Sequence, residues 1–412
     1  MRCKLCFLFI FLCFLFVFAV EEKIAADVST KPATIKVLLE HNLCEVFLEA
    51  CGSFAVYNPK NGKKLSTGYR GKRFYCSSHK EGIKWGENFL GIFQLYIAPT
   101  SPSTTFLING VQYRGAIEIY HVDDKLQIIN EVDVETFIKS TLAEKIRTPF
   151  SRNVLDAIAI IARTKAYYVA LMNNNAFWHT TAQEEGYHGM GLTLQNFAIE
   201  SAVDDTRHFV MTYRDQLFPS TWTVHCGGKT ASYRSIFRKD IITPDGVVSP
   251  FAMDSHRDFY WDFTLDTQEL AKVVKVNRVT GMDLFIDHFS GKVYAARIHD
   301  GMHTEDISFH DLQKALGMNK LKSNTFTVQI KGNVAVFKGY GDGIGVGLCL
   351  YSAMQMAERG DTAPQILSTF FPHMQMAKMR SYPETMISAH ARSSISQVQK
   401  GPFKKKPKLL HK

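Results

Sequence analysis

The chain has 412 residues, 46% of them hydrophobic, and a formal net charge of +9. That apolar share excludes a mainly disordered chain and suffices for one large domain or two intertwined lobes. The basicity is not a property of the body. Residues 374–412 hold nine Lys/Arg against one Glu, and Arg2 and Lys4 add two charges, which leaves −1 elsewhere and argues against a nucleic-acid groove.

In chain order, Met1-Arg2-Cys3-Lys4 is a short cationic stretch, followed by an unbroken apolar run over residues 5–20 and then Glu21-Glu22. The run is short for a bilayer span and suits a secretory signal peptide (1–20), with cleavage after Ala19; an uncleaved anchor is the alternative. Either way the body is expected to be exported, and to stay membrane-anchored if the run is kept. Five of the eight cysteines follow the signal (Cys44, Cys51, Cys76, Cys226 and Cys349), an odd number that allows some pairing and leaves one thiol over. No cysteine or histidine spacing fits zinc, and no metal or cofactor is expected.

Residues 34–110 read as a β-rich part. Ile35–Leu39, Val46–Leu48 and Gly52–Tyr57 have strand character, and Asn58-Pro59-Lys60-Asn61-Gly62 carries the Asn-Gly of a hairpin turn. A core over 111–373 follows. Val111, Tyr113, Gly115, Ile117 and Ile119 alternate as in one half-buried strand, and Leu126, Ile128 and Ile129 begin another. Asp133 is placed to cap a helix through Thr136–Leu142, and the Ala/Ile-rich stretch Ser151–Met172 reads as a second, largely buried helix. A Glu held at the mouth between two such helices is well placed to have its pKa raised by burial.

Tyr113-Arg114-Gly115, Asn130-Glu131-Val132, Glu144 and Ala162-Arg163-Thr164 resemble, in order, the motifs of the sporulation stage II protein D family (SpoIID/LytB). The resemblance runs from about Thr34 to His373. It implies an α+β fold with mixed sheets and a central helical pair, in one large domain with intermingled lobes. It also implies a bacterial envelope protein that cuts peptidoglycan glycan strands by lytic transglycosylase chemistry, in envelope remodelling or division. The alternative is a non-catalytic glycan-binding enhancer of an N-acetylmuramoyl-L-alanine amidase. The implied catalytic acid/base is Glu144. Without a gap Lys145 falls on the family's Glu; an insertion between Arg147 and Arg152 restores Glu144. Arg163 is the implied partner of that acid or of substrate.

Further on, Tyr187-His188-Gly189 is a loop whose family counterpart lies near the glycan site, so His188 is a candidate sugar contact. Phe197–Thr206 reads as a helix. His225-Cys226-Gly227-Gly228-Lys229-Thr230 resembles the family's paired-glycine motif, with Gly227, Gly228 and Thr230 expected to shape the groove. Trp261 is a candidate stacking platform. Thr267–Val274 reads as a capped amphipathic helix, with strands at Val293–Ile298 and Thr325–Ile330. The stretch Gly339–Leu348 resembles the late glycine loop, giving Gly343 and Gly345 as substrate contacts, although Ile344 replaces the family's His and Leu350 its Gln. If the two glycine motifs meet, a Cys226–Cys349 disulfide becomes a pairing to test by counting thiols. Residues 374–412 read as a disordered basic tail able to touch anionic envelope surfaces.

Overall fold

Period-two burial along Thr34–Leu43 and Lys125–Asp133 puts Ile35, Val37, Leu126, Ile128 and Val132 on one inward face. These two strands pair antiparallel at the heart of a seven-stranded sheet. The sheet runs Thr180–Thr181, Thr34–Leu43, Lys125–Asp133, Ala116–Val122, Gln94–Pro99, Phe54–Tyr57, Lys64–Gly68. The last two form the hairpin expected around Asn61-Gly62. A six-stranded antiparallel sheet centred on Glu45–Cys51 and Lys72–His79 shares the same core. The computed structural model describes residues 32–190 and 196–382; the signal segment and residues 383–412 of the tail lie outside them.

One expected strand is two. Val111–Tyr113 belongs to the six-stranded sheet and Ala116–Val122 to the seven-stranded one. The break is at Gly115, where φ is +84° and a Cβ would lie 2.1 Å from the Glu131 carbonyl oxygen. Only glycine turns the chain there without strain.

The helical pair is as the sequence predicts. Helix α1 spans Val134–Lys145, with the Asp133 carboxylate accepting from the Glu135 and Thr136 amides. Helix α2 spans Arg152–Met172 and is buried along most of its length. Helix α3, Ala182–Glu185, is one turn capped by the Thr181 hydroxyl and ended by Gly186 in the left-handed region. The expected helices at Phe197–Asp205 and Thr267–Val274 are also present. The architecture is α+β with mixed sheets.

A second, smaller core is drawn from residues between Trp261 and Phe337, around two three-stranded sheets and the helices Thr267–Val274 and Phe309–Leu316. The main core takes residues from both sides of that stretch, including Cys226, Ala252, Leu348 and Phe371. The tail begins later than expected. Gln375–Lys378 pairs with Phe209–Thr212, and the Tyr382 hydroxyl donates to the Thr34 carbonyl at 2.5 Å. Apolar Met376 and Ala377, packed against the main core, hold that strand in place.

Candidate functional site

The faces of α1 and α2 decide what meets at their junction. On α1, Ile138, Thr141 and Lys145 are spaced i, i+3, i+7 and share one stripe, while Glu144 is a step round the helix. On α2, Ala162, Lys165, Ala166 and Val169 form the facing stripe. Together with Ile35, Phe137, Glu185 of α3, Thr221 and Trp222, they enclose a cavity of about 360 Å³. A larger cavity of about 860 Å³ adjoins it, sharing Lys165, Val169 and Thr221. Its apolar wall includes Tyr168, Met172, Phe237 and Ile344, and Lys239 and Lys314 join Lys165 as its ammonium groups, with the His310 imidazole beside them. The two adjoin as one trench between α2 and the Phe309–Leu316 helix of the second lobe, in the size range of ligand-binding clefts.

Glu185 is the one carboxylate in this lining. Its side chain is 11% exposed and accepts from Lys145 at 3.0 Å and from Lys165 at 2.9 and 3.0 Å. Burial pushes its carboxyl up, but Lys165 and Lys145 outweigh that and hold it down at about 2. Burial lowers Lys145 in turn, opposed by Glu185 and assisted by the second ammonium. Each ammonium has three donors, and Lys145 spends one of them on Glu185. The trio carries a net positive charge at the trench wall.

Glu144 sits at the rim. Its methylene packs beside Gly186, next to Glu185. Its carboxylate is 30% exposed and accepts from Arg147 at 2.7 Å, while the Arg147 side chain is 79% exposed. The expected enclosed, uncharged acid is therefore an ion-paired one in the free protein, because the trench face of the last α1 turn is given to Lys145.

The other expected contacts fall mostly in the scaffold. Arg163 is wholly buried. Its Nε and Nη2 donate to both Glu135 oxygens at 2.7–3.0 Å, Nη2 also to Val203 O, and Nη1 to Thr206 and Phe209 O. No donor is left for substrate, so its role is to lock α1, α2 and the Phe197–Asp205 helix together. Trp261 is 4% exposed in the second core, its Nε1 donating to Ser323, and cannot stack on a sugar. Trp222 is the tryptophan that faces the trench. His188 is exposed but lines neither cavity.

Gly227, Gly228 and Thr230 also lie outside the lining. Thr230 is buried and accepts from the Val247 amide, and the Gly228 carbonyl accepts from Ser249. Gly343 and Gly345 serve close packing: a Cβ at Gly345 would strike the buried Lys292 side chain at 2.1 Å. Lys292 donates to the Cys226 carbonyl and to Thr325. The two glycine motifs do meet, through parallel pairing of Trp222–Thr223 with Leu348–Cys349. Cys226 and Cys349 stand there as free thiols, with the Cys226 amide donating to the Cys349 sulfur at 3.3 Å. Sequence reasoning passed over Lys165, Glu185 and Trp222. The available signal was Thr181 three residues before Glu184, a cap that fixes one helical turn and aims Glu185 inward.

Fold and site together define an α+β protein whose central helical pair builds a cationic trench. The family model described as Stage II sporulation protein, SpoIID, matches residues 122–213, the stretch that holds α1, α2 and α3. The chain belongs to this SpoIID family, which points to a cell-wall or sporulation-related role. It is 34% identical over 196 residues to an uncharacterized protein of Chlamydia muridarum, covering 47% of this chain and 67% of that one. A Chlamydia pneumoniae protein is 34% identical over 179 residues, 43% of this chain and 65% of that one. A Brachyspira hyodysenteriae protein is 25% identical over 328 residues, 78% and 86% of the two chains.

Proposed function

We propose that the trench binds a peptidoglycan glycan strand and that Glu144 cuts it by lytic transglycosylase chemistry. The observation that carries this is the pair of carboxylates at the α1–α3 junction. Glu185, held at about 2 by two lysines, has no proton to give at neutral pH. Among the described residues Glu144 has a solvent-exposed Arg147 as its one side-chain partner, and such a surface pair contributes up to about 1 kcal/mol. A saccharide that displaces Arg147 and water desolvates the carboxyl and favours its neutral form. Glu144 then protonates the glycosidic oxygen as C1–O breaks. The resulting carboxylate takes the proton of the muramic 6-hydroxyl, whose oxygen closes on C1 to leave a 1,6-anhydro end. Lys145 and Lys165 bind the acidic substituents of the strand, and Trp222 offers a ring face to a sugar.

The test is incubation of the protein with stem-peptide-free glycan, followed by mass analysis for anhydromuramic ends. Ends should form with the wild type and fall at least a hundredfold with Glu144→Gln, while glycan is still retained. Lys165→Glu should lose retention itself. Glycan retained without any ends would leave the amidase-enhancer reading: a chain that holds the strand for a partner N-acetylmuramoyl-L-alanine amidase. Cleavage that survives Glu144→Gln would refute the assignment.

A further inference from the structure

The two ends of the described chain leave the body at one place. The Ala33 amide donates to the Arg380 carbonyl at 3.3 Å, the Tyr382 hydroxyl to Thr34 O, and the Tyr167 hydroxyl to Met379 O. The surface there is basic. Pairing of Phe209 with Lys378 puts the Lys378 ammonium 4.8 Å over the Phe209 ring, and the Met379 amide on His208 O brings Arg380 alongside Arg207. Arg207, Lys378 and Arg380 are exposed. The nearby carboxylates are engaged elsewhere: Asp204 with Lys139, Asp205 with Arg152, Glu135 with Arg163, Asp133 as the cap of α1 and Glu131 with the Thr34 hydroxyl. Among the described residues none of the three has a carboxylate partner.

The sequence beyond this patch has the same sign. Residues 383–412 carry seven more Lys/Arg against Glu384, and the chain that enters at Ala33 is preceded by the apolar run 5–20. We propose that this face lies against an anionic lipid bilayer, with Arg207, Lys378 and Arg380 adding to the positive charge that the sequence carries over 383–412. A bilayer is favoured over a soluble polyanion because, in the uncleaved-anchor reading, only residues 21–32 separate the apolar run 5–20 from Ala33 in the sequence, and an apolar tether joined to a basic surface is the pairing that stable membrane attachment uses. This inference does not depend on the chemistry of the trench.

The full chain is floated with vesicles of phosphatidylcholine alone and with vesicles containing about one-third phosphatidylglycerol. Binding should be stronger to the anionic vesicles and that excess should vanish between ~0.1 M and ~0.5 M salt. Each basic residue near such a surface is worth about fivefold in affinity. Arg207→Ala/Lys378→Ala/Arg380→Ala together should therefore cost up to roughly a hundredfold. Arg207→Lys/Arg380→Lys should bind as the wild type does, since charge is kept. Replacing Lys60, Lys63 and Lys64 by Ala, at the far edge of the seven-stranded sheet, should leave binding unchanged. Equal binding to both vesicle types would overturn the proposal. So would a folded triple variant that binds like the wild type while deletion of 383–412 abolishes binding.

Discussion

Glu185 is covered on nearly every side, and its charge persists there because two ammonium groups face it. Its carboxyl is depressed in the folded state to about 2 from the ordinary 4.5. A depressed carboxyl contributes stability that is present above the unfolded value and lost as pH falls through the folded one. Stability should therefore decline between about pH 4.5 and about pH 2, and in Glu185→Gln this part of the slope should be absent. At neutral pH the variant leaves Lys145 and Lys165 unpaired at a cavity wall, at a cost of about 2 kcal/mol given that both lysines keep some water contact. Urea midpoints across that pH range check both statements; parallel pH profiles for wild type and variant would refute them. Arg163 teaches the opposite lesson about reading residues. In the sequence it stands in a family motif beside a would-be acid. In the fold it is a fully buried cation closed by Glu135, and Arg163→Lys should destabilise by about 3 kcal/mol without removing the positive charge, because a point donor cannot fill a five-donor fork.

At the scale of elements, local signals were legible and tertiary ones were not. Asp133 announced α1, and the alanine and isoleucine spacing announced α2, because caps and helical periods are written within a few residues. The alternation through Val111–Ile119 did not disclose that it serves two sheets, since a period of two is the same on either side of a turn. Likewise, whether a tryptophan stacks on sugar or fills a core is decided by what lies across from it. Trp261 faces Phe263 and Phe326, and Trp222 faces space. Gly115 is the hinge between the two sheets, and its requirement is physical on two counts, a positive φ and a neighbouring carbonyl 2.1 Å from where a Cβ would stand. Gly115→Ala should cost about 3 kcal/mol, read as a drop in the thermal midpoint. An alanine variant with an unchanged midpoint would mean the two sheets join in some other way.

For the whole molecule, the last described strand closes the structure. Gln375–Lys378 arrives from beyond the second lobe and the late glycine loop, and seals against Phe209–Thr212 next to where the chain enters at Ala33. The same stretch supplies Tyr382, whose ring lies 5.3 Å from that of Tyr167 on α2, and the carbonyl of Met379 that accepts from the Tyr167 hydroxyl. Composition assigned these residues to a tail because they are few, show no apolar period and are followed by lysines; nothing within them reveals a partner strand more than a hundred and fifty residues earlier. Removing everything after His373 takes away four paired positions, the Ala33–Arg380 bond and the cover of Tyr167. At about 0.5–1.5 kcal/mol net for each lost hydrogen bond, the truncated chain should be less stable by about 3 kcal/mol or more. Because Tyr167 is on α2, the loss should reach the trench, so the truncated protein should also retain glycan less well. Tyr382→Phe, which removes a single hydroxyl, should cost about 1 kcal/mol and leave glycan retention intact. If truncation lowers neither the urea midpoint nor retention, the closing strand carries no stability and the folded body ends at His373.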